Sequence, residues 1–295
     1  MAIVFSILSA VCFSAAALYQ LVASKQQLAS KNMKPTLLIS LFQHGGWLIG
    51  LALDAVAVIF QIIALSSGSV VVVQPIIALG LVASVLAAPL FGVKRPDRAS
   101  LLMAFAGTMG VALFVVGRPV QAGDHYRGGL TVIASILVLA VSVCVSLLPI
   151  RSESIKATLQ AVGGALLVGY ASVLERELGI NFHRLGLVGS LTSMPVISLV
   201  AVGAVGLLVT QSAFQLGELH VVLPIFSVGE PIVALLGAKL ILGERIFGNG
   251  IHAVGQLAGL TVALVALLVL AFRTLPSELE EGSRGGPETP HTGSV

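Results

Sequence analysis

The sequence predicts an all-α, polytopic membrane protein of about nine transmembrane helices arranged as two inverted repeats. Three observations predict it. Of 295 residues, 57% are hydrophobic and only 10% charged, whereas soluble domains run at roughly 45–50% and about 25%. The apolar residues form long continuous runs rather than short alternating segments, which favours helices over a β-barrel. A segment in the first half also recurs in the second at a fixed offset of 149 residues.

Each predicted span follows from an apolar run bounded by polar residues or glycine. The first is 3–22; its n-region has no basic residue, so it reads as a span rather than a signal peptide. The second, 38–64, exceeds the ~20 residues a bilayer needs, and Trp47 is expected at an interface. Spans at 70–91, 99–117, 129–149, 157–174, 187–214, 219–241 and 249–272 complete the set. The linker Lys25–Pro35 (KQQLASKNMKP) is the one sizeable polar loop before the C-terminal segment. From Pro276 onward the chain lacks apolar periodicity and is rich in Gly, Pro, Ser and Glu, as a disordered tail would be. The expected organisation is a first repeat over 1–128, a linking span over 129–150, a second repeat over 151–273 and a tail over 274–295.

Orientation follows from Lys and Arg counted by side. Lys25, Lys31, Lys34, Lys94, Arg95, Arg98, Arg151, Lys156, Arg273 and Arg284 fall on the C-terminal side. Arg118, Arg127, Arg176, Arg184, Lys239 and Arg245 fall on the other. Ten against six predicts a cytoplasmic C-terminus in the cell membrane. Cys12 and Cys144 lie in apolar runs, so neither a disulfide framework nor a thiolate metal site is expected.

The repeat is carried by GSVVVVQPIIALG (Gly68–Gly80) and GELHVVLPIFSVG (Gly217–Gly229). Gly68/Gly217, Val72/Val221, Val73/Val222, Pro75/Pro224, Ile76/Ile225 and Gly80/Gly229 match. The same offset carries Ala106-x-x-x-Gly110 onto Gly255-x-x-x-Gly259, small-residue pairs that let helix backbones approach closely. Five crossings between equivalent helices would invert the second copy. Inverted repeats are a recurrent build of secondary transporters, with interrupted helices in matching positions near the substrate. Pro75 and Pro224 are therefore expected to kink spans three and eight, at a hinge or gate.

Gly229–Arg245 reads GEPIVALLGAKLILGER. This resembles the signature near the end of EamA-type members of the drug/metabolite transporter superfamily. In that motif Glu-Pro opens the helix, Ala and Gly recur on one face, and Gly-Glu closes it, here Glu230, Pro231, Ala234, Gly237, Gly243 and Glu244. The stretch from Trp47 through Asp54, Gln61 and Gln74-Pro75 is similar to the NIPA-like branch, whose best-known members are magnesium transporters. Where that branch carries Gly-Glu in span two, this chain has Ala57-Val58, with Asp54 one turn earlier. The resemblance implies a nine-span transporter with an external N-terminus.

Two acids fall within spans, Asp54 and Glu230. A mid-bilayer charge is costly and usually marks a pathway, so these lead as proton acceptors or ligands of a cationic substrate. Gln61, seven residues from Asp54 on the same helix face, and Gln74, Gln211 and Gln215 are candidate substrate ligands. Interhelical hydrogen bonds are the alternative use of these amides. His220 beside Glu218 is a candidate gate, and Glu244 with Arg245 reads as a helix-end charge pair. No zinc-protease, nucleophile-elbow or phosphate-loop motif is present, so no catalytic residue, metal site or cofactor is expected. No basic run interleaves with aromatics, so nucleic acid is not an expected partner. The expected partners are a small molecule or ion, the bilayer, and a second copy of the chain. The leading function is secondary-active transport of a small metabolite, drug-like compound or cation. A magnesium-type permease and a non-transporting membrane scaffold are the alternatives.

Overall fold

A computed structural model describes residues 1–25, 31–87, 97–116, 128–217 and 219–274. The predicted tail past Thr274 lies outside the described residues. Eleven helices follow in order: α1 (Ala2–Lys25), α2 (Pro35–Leu41), α3 (Gly45–Ser67), α4 (Val70–Ala78), α5 (Gly80–Ala87), α6 (Arg98–Val116), α7 (Gly128–Ser146), α8 (Glu153–Leu191), α9 (Met194–Leu216), α10 (Leu219–Leu240) and α11 (Ile251–Thr274). No strand occurs among the described residues. Seven of these helices, α1, α3, α6, α7, α8, α9 and α11, are long and apolar enough to cross a membrane.

The burial pattern is that of a protein solvated by hydrocarbon. Ile3, Val4, Ile7 and Val11 on α1 point outward, as do Ile49, Val56 and Ile59 on α3 and Leu102, Phe105 and Leu113 on α6. Serines and glutamines such as Ser6, Ser9, Gln20, Gln61 and Gln160 turn inward. A water-soluble domain would expose the polar set and hide the apolar one. This multi-helix, membrane-embedded architecture is what the composition predicted.

The helix ends have local causes. The predicted second span is two helices: Pro35 starts α2 at a position where its missing N–H costs nothing. The break falls over 42–44, just before the poor helix formers Gly45 and Gly46. The predicted third span is likewise broken, at Leu79, one turn beyond Pro75, into helices of nine and eight residues. Ser152 caps α8 by accepting from the Ile155 amide at 3.5 Å. Asp97 does the same for α6, accepting from Ser100 at 2.8 Å.

The largest departure from expectation is α8. The predicted sixth span stopped at residue 174 because Glu175-Arg176-Glu177 read as a loop. The helix instead continues through all three to a break at Gly186, whose φ of 69° is accessible to glycine at little cost, and a short further helical segment runs to Leu191. The predicted seventh span accordingly starts at Met194 rather than 187. All three charged residues are buried, because their partners come from other helices. Arg176 therefore leaves the loop count used for orientation.

α8 is the axis of the bundle, with α3, α4, α7, α9 and α10 packed against it. Glycines set the spacing on its α10 side. A Cβ at Gly169 would meet the Glu230 carbonyl oxygen at 2.6 Å, and one at Gly237 would meet Val173 at 2.7 Å. α6 and α11 pair in the same way and reciprocally. A Cβ on Gly110 would meet the Gly259 carbonyl at 2.7 Å, and one on Gly259 would meet the Gly110 carbonyl at 2.7 Å.

Candidate functional site

The polar interior is assembled from α1, α3, α8, α9 and α10. On α3 the inward row is Trp47, Gly50, Asp54, Ala57, Gln61 and Ala64, at the three- and four-residue spacing of one helix face. Asp54 is half-buried in that row. Gly50 lets α1 lie close enough for contact, since a Cβ there would meet the Gln20 side chain at 2.9 Å. Gln20 Nε2 donates to Asp54 Oδ2 at 2.5 Å.

That bond orients a chain of amides. A carboxylate only accepts, so Gln20 presents its NH2 to Asp54 and its oxygen to the next residue. Gln211 Nε2 on α9 donates to Gln20 Oε1 at 2.6 Å. Gln211 Oε1 then accepts from the Ser24 hydroxyl and from Trp47 Nε1 at 3.4 Å. The indole can only donate, so the chain runs in one sense from Trp47 to Asp54. Trp47 is fully buried in the first turn of α3, edge-on to Phe42. The broken second span turns it into the bundle.

Glu230 lies at mid-helix in α10 and is half-buried. It feels the charge of Asp54, and Glu175 on α8 feels the charge of Glu230. The structure thus brings the two predicted acids together and adds a third that sequence reasoning left in a loop. Glu175 is 4% exposed, and its Oε2 has no hydrogen-bond partner. Gln61 stands beside Glu175. Its Nε2 donates to Ser172 Oγ at 2.9 Å, while its Oε1 is unpartnered. Gln74 on α4 is buried with neither amide atom bonded. Native interiors leave few such groups without a protein or water partner.

Polar ties flank the cluster along α8. At one end, Asn32 of the Lys31–Lys34 segment donates to the Ser212 carbonyl at 3.0 Å and to Gln215 Oε1 at 3.1 Å. Its own oxygen accepts from Gln160 Nε2 at 2.7 Å. Gln215 is thereby tied to the Lys31–Lys34 segment. Arg176 lies 16 residues beyond Gln160 on α8, about 24 Å along a helix rising 1.5 Å per residue. Its guanidinium faces Glu244 at 3.7 Å and donates to the Leu65 carbonyl near the C-terminus of α3. Glu244, buried in the turn after α10, accepts from the Val70 and Val71 amides at 3.3 and 3.2 Å. A cation thus sits at the end of α3 and an anion at the start of α4, each where the helix dipole favours it.

The side chains of His220 and Pro224, and all of Glu218, lie outside the described residues. Pro75 is buried inside α4. Of the residues missed from sequence, Glu175, Arg176 and Asn32 sit in polar stretches that look like loops, whereas Gln20 lies inside the predicted first span. The one available signal for Gln20 was its position four residues before Ser24 within an otherwise apolar run.

No family model matches the chain, and no solved structure matches it. An uncharacterized protein of Corynebacterium glutamicum is 26% identical over 209 residues, 68% of this chain and 70% of the relative. That likeness names no activity.

Proposed function

We propose that the chain is a secondary transporter of the cytoplasmic membrane, of the EamA/NIPA-like kind, moving a small polar or cationic solute by alternating access. One observation carries this reading: Asp54, Glu175 and Glu230, from three different helices, interact electrostatically inside a bundle whose outer surface is apolar. Ionisable groups in that setting mark solute or proton pathways. No nucleotide-binding loop is present in the sequence, so the driving force is a gradient.

The inverted-repeat, nine-span form of this proposal draws on several coincidences at the offset of 149 residues. Shifted by it, α3 falls on α9 at both ends, Gly45 to Met194 and Ser67 to Leu216. Gly68 abuts Ala64 and Val73, and Gly217 abuts their equivalents Ala213 and Val222. The reciprocal contact of Gly110 with its own equivalent, Gly259, is the kind of contact a local two-fold axis would produce. Halves related in this way would exchange conformations at nearly equal energy.

The test is solute flux into proteoliposomes containing the full chain. Flux that needs a pH gradient and is lost in Asp54→Asn supports the proposal. Magnesium uptake that survives collapse of the proton gradient would instead make it a divalent-cation permease. Absence of any flux over a broad solute screen, with a partner protein co-purifying, would make it a scaffold.

A further inference from the structure

We propose that Asp54, Glu175 and Glu230 form the binding site for an organic ligand bearing a primary ammonium group, with the Gln61 carbonyl as an additional acceptor. This deepens the transporter reading and rests on it for its biological role. The ligand class follows from what the pocket offers. The three acids come from α3, α8 and α10, and none of them makes an ion pair among the described residues. The cation adjacent in sequence, Arg176, is committed to Glu244 and the Leu65 carbonyl. Like charges gathered away from water are neutralised either by protons or by a bound cation.

The unmet atoms on Glu175 and Gln61 are acceptors. Glu175 Oε2 and Gln61 Oε1 are both buried without donors, and the two side chains are neighbours. A ligand that brings N–H donors and positive charge together satisfies these acceptors and the ionised acids at once, as a primary ammonium does with three donors. A quaternary ammonium has no N–H to give and is recognised by aromatic faces instead. A bare divalent metal needs about six oxygens within 2.0–2.6 Å. Among the described residues, no three acidic, histidine or cysteine side chains converge closely enough for that. Carboxylates that interact through space without converging suit an extended organic cation better than a point charge.

Direct binding to the purified full chain in lipid nanodiscs tests this, with cadaverine as probe and Trp47, the sole tryptophan, as fluorescent reporter alongside calorimetry. Cadaverine is expected to bind saturably, while tetramethylammonium and magnesium chloride do not at the same concentration. Glu175→Gln is expected to weaken cadaverine about tenfold or more, the usual loss for a hydrogen bond to a charged group. Glu177→Gln, which keeps an acceptor for the Thr131 hydroxyl, is expected to leave it unchanged. Should Glu175→Gln fail to fold, carbodiimide labelling of the unmodified protein takes its place: cadaverine should protect Glu175, and 1,5-pentanediol should not. Absence of cadaverine binding, equal binding by Glu175→Gln, or equal labelling with and without cadaverine would each overturn the proposal. Binding without flux would remove the transporter reading and leave the site. Flux of another solute without cadaverine binding would do the reverse.

Discussion

Asp54 receives its hydrogen bond through a sequence of amides that begins at a tryptophan, and this makes single residues informative. Asp54→Asn replaces an acceptor-only group with one that also donates, so Gln20 and Gln211 lose the reason for their orientation. The expected outcome is abolished flux with the folded state retained, read by vesicle transport and size-exclusion behaviour. Gln211→Leu removes the acceptor of the Trp47 indole. Trp47 emission should then move to shorter wavelength, since its ring stays buried but loses its polar partner; an unchanged spectrum would mean the contact is absent. Asp54 and Gln61 were legible in the sequence because helix periodicity aligns residues seven apart. Glu175 was not, because a Glu-Arg-Glu triplet in an apolar chain looks like a solvated loop until its partners on other helices are known.

At the scale of elements, the Arg176–Glu244 pair joins the end of α3 to the start of α4 and ties both to α8 and the turn after α10. Breaking a buried pair on one side leaves an uncompensated charge and typically costs about 3–5 kcal/mol. Glu244→Ala should therefore lower the denaturation midpoint in micelles by a cost of that size, and it also removes the acceptor for the Val70 and Val71 amides. A loss well under 1 kcal/mol would show that the pair is solvated. The α6–α11 contact makes a second case. Gly110→Leu forces a side chain into backbone atoms 2.6–2.7 Å from the new Cβ, and overpacking of this kind costs typically 1–3 kcal/mol or more. Gly203→Ala, with nothing within 4 Å, should instead be neutral or slightly stabilising, because alanine is favoured over glycine in helices by up to ~1 kcal/mol. Comparing the two by thermal denaturation separates a packing glycine from an incidental one. The sequence pointed to Gly110 and Gly259 as packing residues. It had no means of telling that they would meet each other.

For the whole molecule, topology is the property most open to test. Nine crossings would put the Lys25–Pro35 linker and the C-terminus on one side of the membrane, the cytoplasmic one by charge. In a background carrying Cys12→Ser and Cys144→Ser, single cysteines at Lys31→Cys and His291→Cys should both resist an impermeant maleimide in intact cells. Both should react once the membrane is opened. Labelling of one but not the other from outside would refute the nine-span count. The membrane character of the chain, the positions of α1, α6, α7 and α11 and the shared face of Asp54 and Gln61 on α3 were determined by the sequence alone. They depend on composition and on local periodicity, which every residue carries in its nearest neighbours. Only the tertiary structure decided that α8 runs on through three charges, that Trp47 turns inward, and that Glu175 joins Asp54 and Glu230. A buried charge is tolerated according to what faces it, and here those facing groups are supplied by segments tens to nearly two hundred residues away along the chain.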